Sequence, residues 1–289
     1  MKALKNAIII PLEGTMDSFT GGVFFSDGRF LEDSLPDRGK AALLQEPVEF
    51  LHNIYIYGGC LFGHFGHFIW ESLSRLYAIR QCKEYPIIFI TPNDNAIIAF
   101  AKLFLKAIGI NNKIKLVKIP TSVENLIYSP PESSLNPLFI ADEQINALKY
   151  LYFQKDNRKK KIWLSRSRLK YGKIDNEQVI EEGLKKIGYD IISPETFYLR
   201  EQVRLISTSD IVAGCDGSAF FSLLFADEIH GKFFVFNRRW HIANTIPYIF
   251  KKRNVQFEQY TFDLEPINEK WPISIFHHPD PNKIIDILK

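Results

Sequence analysis

The sequence predicts an α/β protein with a parallel sheet in its second half. Three observations carry this. Beyond residue 160, short apolar runs alternate with amphipathic stretches of helical length, the pattern of a parallel sheet covered on both faces. In the first half, Pro86-Ile87-Ile88-Phe89-Ile90 reads as a buried strand, followed by a helix from Asn95 to Ile108 with Gly109 as its stop signal. The chain has 289 residues, 46% of them hydrophobic, enough for two packed domains.

Taken in order, Ala7 to Ile10 predicts a strand ended by Pro11. Asp27-Gly28 between apolar runs predicts a hairpin turn, and Phe50 to Tyr57 another strand. A helix from about Gly63 to Gln81 follows. Lys115 to Ile119 and Asn125 to Tyr128 are strand candidates, and Ala141 to Phe153 a helix. Gln154 to Lys161 is polar and charged and serves as the domain boundary; its basic run Arg158 to Lys161 suits a solvated linker or a contact with anionic lipid.

In the second half, strands are expected at 162–164, 189–192, 210–213 and 233–236, with helices at 177–187, 199–207, 218–225 and 243–251. The organisation is therefore residues 1–155 and 160–262 as two domains. Residues 263–289 are a proline-bearing tail (Pro266, Pro272, Pro279, Pro281) that packs back on the core and ends in a short helix near Asn282.

Formal net charge is +3, too small to indicate a nucleic-acid partner, though compatible with an anionic ligand. Cys60, Cys82 and Cys215 are odd in number and widely spaced, which argues for a reducing compartment over a disulfide framework. No apolar run reaches the length of a membrane span. The expectation is a cytoplasmic protein, with peripheral association with the inner membrane surface as an option.

The stretch Gly58 to Leu76 carries the densest chemistry. His64, His67, Glu71 and Arg75 are spaced to stack on one face of a helix. The same pattern also suits a buried helix whose histidines hydrogen-bond to neighbours. Cys60, His64, His67 and Glu71 raise a metal-dependent hydrolase as an alternative, but the spacing is no standard zinc pattern. No Asp-x-Asp triplet occurs, so no metal cofactor is expected.

In the second half, Arg166, Arg168, Lys170 and Lys173 follow a strand, at the end where such sheets bind ligands. Guanidinium groups there would hold a diphosphate, although a basic surface loop reads the same way. Gly214-Cys215-Asp216-Gly217-Ser218-Ala219 is a strand-to-helix turn that can offer backbone N–H groups to an anion. Asp216 suits a helix cap, a sugar contact or a base. Glu201 suits a ribose contact or an ordinary first-turn acid.

Two blocks, in order, resemble the glycosyltransferase family 61 proteins. Gly66 to Leu76, Gly-His-Phe-Ile-Trp-Glu-Ser-Leu-Ser-Arg-Leu, is similar to a family pattern of His-Phe/Trp, two apolar residues, Asp/Glu and Leu-x-Arg-Leu. Ile162 to Arg166, Asn176-Glu177, Gly188-Tyr189, Glu201-Gln202 and Gly214 to Ala226 resemble the second block. Lys173 stands where the family often has arginine, and Asp216 where a His-Gly pair is common.

The resemblance implies a GT-B architecture, two Rossmann-like domains facing across a cleft. It implies inverting transfer from a nucleotide-sugar donor to a glycan or lipid-linked glycan acceptor in bacterial capsule or lipopolysaccharide assembly. Such a transfer needs a base and cations for the leaving diphosphate. His67, Glu71 and Asp216 are the candidate bases. Arg166, Arg168, Lys173, Gly217, Ser218 and Ala219 are the candidate diphosphate contacts and Glu201 the ribose contact. His64 and Arg75 are expected on the acceptor side, Arg75 either reaching the phosphates or pairing with Glu71. A non-catalytic binding protein of the same fold is a further alternative.

Overall fold

In the computed structural model, which describes residues 1–15, 17–91, 95–155, 159–170, 172–238, 244–262, 264–268 and 275–289, internal contacts divide the chain into Met1–Tyr150 and Leu151–Lys289. The first unit is organised by one seven-stranded sheet. Its strands are β1 (Lys2–Gly14), β2 (Phe19–Phe24), β3 (Gly39–Ala41), β4 (Glu49–Cys60), β5 (Ile87–Ile90), β6 (Ile114–Val117) and β7 (Thr121–Tyr128), in spatial order β3-β2-β1-β7-β4-β5-β6. Strands β7, β4, β5 and β6 run parallel, but β1 is antiparallel to both β2 and β7. The α/β expectation therefore holds, while this unit is a mixed sheet rather than a purely parallel one. Ala7, Ile9, Tyr57, Ile88, Ile90, Val117, Val123 and Leu126 form its buried core, each large apolar side chain stabilising by about 1.5–3 kcal/mol.

Strand β1 does not stop at Pro11. Its pairing with β7 runs out at Ile9, and its register with β2 shifts between Ile10 and Glu13, so Pro11 sits where a missing donor costs no regular ladder bond. The Asp27-Gly28 turn forms with Gly28 at φ 86°, and the returning chain bridges Phe30 to Phe24, with Phe25 N–H donating to Arg29 O and Leu31 N–H to Val23 O, each at 2.9 Å.

Helices α1 (Phe65–His67), α2 (Leu76–Gln81), α3 (Asn95–Ala107) and α4 (Asp142–Leu148) and a small hairpin of β8 (Ser133–Leu135) and β9 (Leu138–Ile140) complete this unit. The expected helix to Phe153 ends at Leu148. Tertiary pairing takes over there: Leu151 N–H donates to Phe225 O, and Asp227 N–H to Leu151 O.

The second unit is built on β10 (Lys161–Leu164), β12 (Tyr189–Ile192), β13 (Ile211–Cys215), β14 (Lys232–Asn237) and β15 (Phe257–Thr261). All pairs are parallel, in spatial order β12-β10-β13-β14-β15. Helices α5 (Glu177–Lys186), α6 (Leu199–Thr208) and α7 (Thr245–Lys252) and a 3₁₀ helix over Ser218–Phe225 connect the strands. Gly188, at φ 88°, closes α5 as its position predicts.

In this strand order the chain moves one way from β10 to β12 and the other way from β13 onward. The switch point lies between β10 and β13, and ligands of doubly wound sheets bind outside the carboxyl ends there.

Three sequence expectations differ. The helix after β13 is 3₁₀ rather than α. Strand β15 was not anticipated, because Phe257-Glu-Gln-Tyr-Thr261 lacks a continuous apolar run. The tail carries strands as well as the expected short helix: β16 (Glu265–Asn268) and β17 (Ile275–His277) form a sheet with β11 (Lys173–Ile174), and α8 (Asn282–Ile287) follows. Residues 156–158 of the expected linker, Ala243 at the start of one expected helix, and Asp263 and Pro272 of the tail lie outside the described residues.

Candidate functional site

Two sets of residues concentrate polar chemistry, one in each unit. In the first unit, β4 ends in Gly58-Gly59-Cys60. A side chain at Gly58 would come within 2.3 Å of the Phe89 ring, and Gly59, at φ +96°, lies against Arg75. The glycines let β4 pass these two neighbours.

His64 then caps the short turn α1 in extended conformation. Phe68–Ser72 forms a π turn, in which Leu73 N–H donates to Phe68 O at 3.0 Å. Such turns rotate side chains out of ordinary helical register. Serines lock the turn: Ser72 Oγ accepts from Phe62 N–H at 2.9 Å, Ser74 Oγ donates to Glu71 O at 2.7 Å, and Ser133 Oγ donates to Trp70 O at 2.7 Å.

The expected single helical face is thus broken. His67 and Glu71 do meet, with Nδ1 2.8 Å from Oε2. The His64 and His67 rings pack edge to face at 5.2 Å.

Arg75 lies after the π turn and points elsewhere. It is buried, donates from Nε to Ser129 O at 3.0 Å and to Asp33 O, and stacks on Tyr57 and Tyr128. The cation paired with Glu71 is Arg38, which grips both carboxylate oxygens, Nη2 at 2.8 Å from Oε2. Arg38 in turn sits over the Phe62 ring at 4.9 Å.

Burial pushes the Glu71 carboxyl up, but hydrogen bonds from His67 and Arg38 outweigh it and hold the group below the usual range. Glu71 is therefore an ionised carboxylate with both oxygens engaged. Its contact with Nδ1 favours the tautomer of His67 that leaves the Nε2 lone pair available, on a ring still 24% exposed.

Removing Arg38 leaves a buried carboxylate without its cation, so Arg38→Met should lower the unfolding free energy by about 3–5 kcal/mol in denaturant titration. The pair's pH dependence has a definite sign. Glu71 is more acidic folded than unfolded, so its stabilisation is present above the ordinary glutamate range and lost as pH falls through the folded-state value. Arg38→Met should flatten that acid limb.

In the second unit, Arg166 follows β10 and Asp216 follows β13, on the two sides of the switch point. Arg166 Nε donates to Gly172 O at 2.8 Å, and Arg238 Nη1 donates to the same oxygen. Asp216 Oδ1 accepts from Arg238 N–H at 2.8 Å and from its Nε at 2.9 Å. Burial first and the Arg238 charge second push Arg166 down to about 10.

Two guanidinium groups thus converge on Gly172 O, beside the Asp216 carboxylate that pairs with Arg238, at the carboxyl ends of parallel strands, a setting that favours an added anion. At Gly217 a Cβ would fall 2.4 Å from Arg166 Nη1, so a side chain there would displace the guanidinium tip. Gly172, at φ +61°, lies equally close to Arg238.

The remaining predicted residues spread out. Arg168 is exposed on the turn after Arg166, and Lys173 is part of β11. Ser218 and Ala219 open the 3₁₀ helix. Glu201 is held by Arg204, Nε to Oε2 at 2.8 Å, and this hydrogen bond lowers its pKa.

Burial pushes the Cys60 thiol up to about 12. Among the described residues, no three His, Cys, Asp or Glu side chains are placed to hold a metal ion.

Arg38 and Arg238 escaped the sequence reading. No periodicity links Arg38 to Glu71 across 33 residues. Arg238 had a signal: it follows β14, at the same edge of the sheet as Arg166.

The family model for glycosyltransferase 61 matches residues 65–230, more than half of the chain. The chain belongs to glycosyltransferase family 61. The match begins at α1 and takes in His67, Glu71, Arg166 and Asp216, while Arg38 and Arg238 lie outside it. No curated protein matches the chain. As a member of a glycosyltransferase family, the protein acts on a sugar donor and an acceptor.

Proposed function

We propose that this glycosyltransferase moves a sugar with inversion from a nucleotide-sugar donor, of UDP type, to a hydroxyl of a glycan or lipid-linked glycan. The arrangement that carries the reading is His67 held by an ionised Glu71, which Arg38 in turn clamps.

His67 Nε2 takes the proton of the acceptor hydroxyl as its oxygen attacks the anomeric carbon. The bond from that carbon to the diphosphate breaks, and the nucleoside diphosphate leaves with the electron pair. Glu71 stabilises the imidazolium that forms. Arg166 and Arg238 take up the leaving charge. In this reading Asp216 holds Arg238, and Glu71 orients His67 rather than acting as the base itself.

We place the donor on the second unit and the acceptor on the first, in a GT-B arrangement, with no metal required. The setting proposed is bacterial capsule or lipopolysaccharide assembly on the cytoplasmic side, at or near the inner membrane surface. Cys60, Cys82 and Cys215 are all free thiols, which suits a reducing compartment. The metallohydrolase alternative is weakened, because Glu71 is taken up by Arg38 and Cys60 stays a neutral buried thiol.

The test is thermal shift with UDP, GDP, CDP, CMP and ADP, with and without EDTA. One nucleotide should raise the melting temperature equally in both conditions. Stabilisation abolished by EDTA would overturn the metal-independent part, and no response to any nucleotide would overturn the donor site.

A further inference from the structure

Beneath the Arg166 loop lies a carboxylate that the proposed transfer does not use. Glu177, the first residue of α5, is fully buried. Its Oε1 accepts from Trp163 Nε1 at 3.0 Å and from Arg166 N–H at 3.0 Å. Its Oε2 is buried with no hydrogen-bond partner. One turn on, Glu181 Oε1 accepts from Ser165 Oγ at 2.6 Å, so α5 grips two successive residues at the end of β10.

The charged and titratable groups around Glu177 are Glu181 on its own helix, Arg166 after β10 and Cys215 on β13. Arg238 and Asp216 stand next to Arg166. Burial drives the Cys215 thiol far above its ordinary value, so it contributes no charge.

We propose that Glu177 is a positioning residue for the anion site at Arg166, and that it takes a proton from solvent when a diphosphate binds there and releases it when the diphosphate leaves. This rests on the reading of Arg166 as an anion site.

The geometry suits the exchange. A proton placed on Oε2 leaves both hydrogen bonds on Oε1 intact, so the charge changes while Arg166 keeps its backbone anchor. Burial already pushes the Glu177 carboxyl up to about 7. A diphosphate on Arg166 brings negative charge towards Glu177 and raises that value further. Near neutral pH such a rise moves the carboxylate towards its protonated form, so protons are taken up on binding. In this way the site adjusts its own charge: Glu177 is a carboxylate when the site is empty and a neutral carboxyl when it is filled.

The experiment is titration calorimetry of the full chain with inorganic pyrophosphate and with UDP, at pH 7.5, in two buffers of different ionisation enthalpy. The wild type and Glu177→Gln are compared. The wild type should take up more protons per ligand than Glu177→Gln, which has no carboxyl at this position to titrate.

Binding with equal proton counts in both proteins would overturn the proposal and leave the anion site standing. Absence of binding by the wild type would remove the anion site and the proposal with it. If Glu177→Gln does not fold, difference infrared spectroscopy of the wild type decides. A protonated-carboxyl band should grow on pyrophosphate binding, and no such band would overturn the proposal.

Discussion

Replacing His67 by glutamine should slow turnover by about 10²–10⁴-fold, the range for loss of a general base, with nucleotide affinity unchanged. The glutamine side chain retains a hydrogen bond to Glu71 but cannot accept the acceptor's proton. The measurement is product formation from the donor that the thermal-shift panel identifies. Glu71→Gln offers a contrast: it leaves the imidazole in place but removes the charge that stabilises imidazolium. It should therefore slow turnover by less than His67→Gln does. A His67→Gln rate within about tenfold of wild type would move the base elsewhere, since positioned bases contribute more than that.

Arg166→Ala should weaken nucleoside diphosphate binding by about 10–150-fold, the loss of a charge-assisted contact of roughly 1.5–3 kcal/mol. The Arg166 guanidinium lies against Gly172, in the segment after β10, and Gly217, after β13, so it spans the switch point. Arg238→Ala should produce a similar loss, and it also strips Asp216 of its partner, which leaves a buried carboxylate facing the ligand. The double variant should lose less than the sum of the single losses, because the two guanidiniums repel each other and share Gly172 O as acceptor. Calorimetry with the nucleotide measures all three. Arg168, exposed on the neighbouring turn, serves as control, and Arg168→Ala should change affinity by less than Arg166→Ala. Unchanged binding by Arg166→Ala would remove it from the site.

Much of the second unit was legible because its signals are local. Apolar runs such as Phe233–Phe236 and helix stops such as Gly188 say nearly the same thing in any context. The His67–Glu71 contact was legible for the same reason, since four residues of helical chain bring the two side chains together whether the turn is α or nearly so.

What failed was long-range. The π turn depends on Ser133 and Phe62, which reach residues 68–74 from other parts of the chain, and it sends Arg75 away from Glu71. The role of Arg38 depends on a loop folding over β4, which no local pattern encodes. Strands β15 to β17 were missed because short, half-exposed strands carry little periodicity; their pairing comes from β14 and β11.

The matched segment, residues 65–230, includes Glu71 but not Arg38, and Arg166 but not Arg238. Each half of the proposed chemistry is thus joined across the edge of the stretch by which relatives are detected. Evolutionary constraint should cross that edge as well. When position 71 varies between glutamate and aspartate among relatives, position 38 should vary with it in charge and reach, and positions 216 and 238 should be similarly linked. A survey restricted to the shared motifs would find half of each pair and take its variation for drift, while one that covers whole chains would recover both couplings.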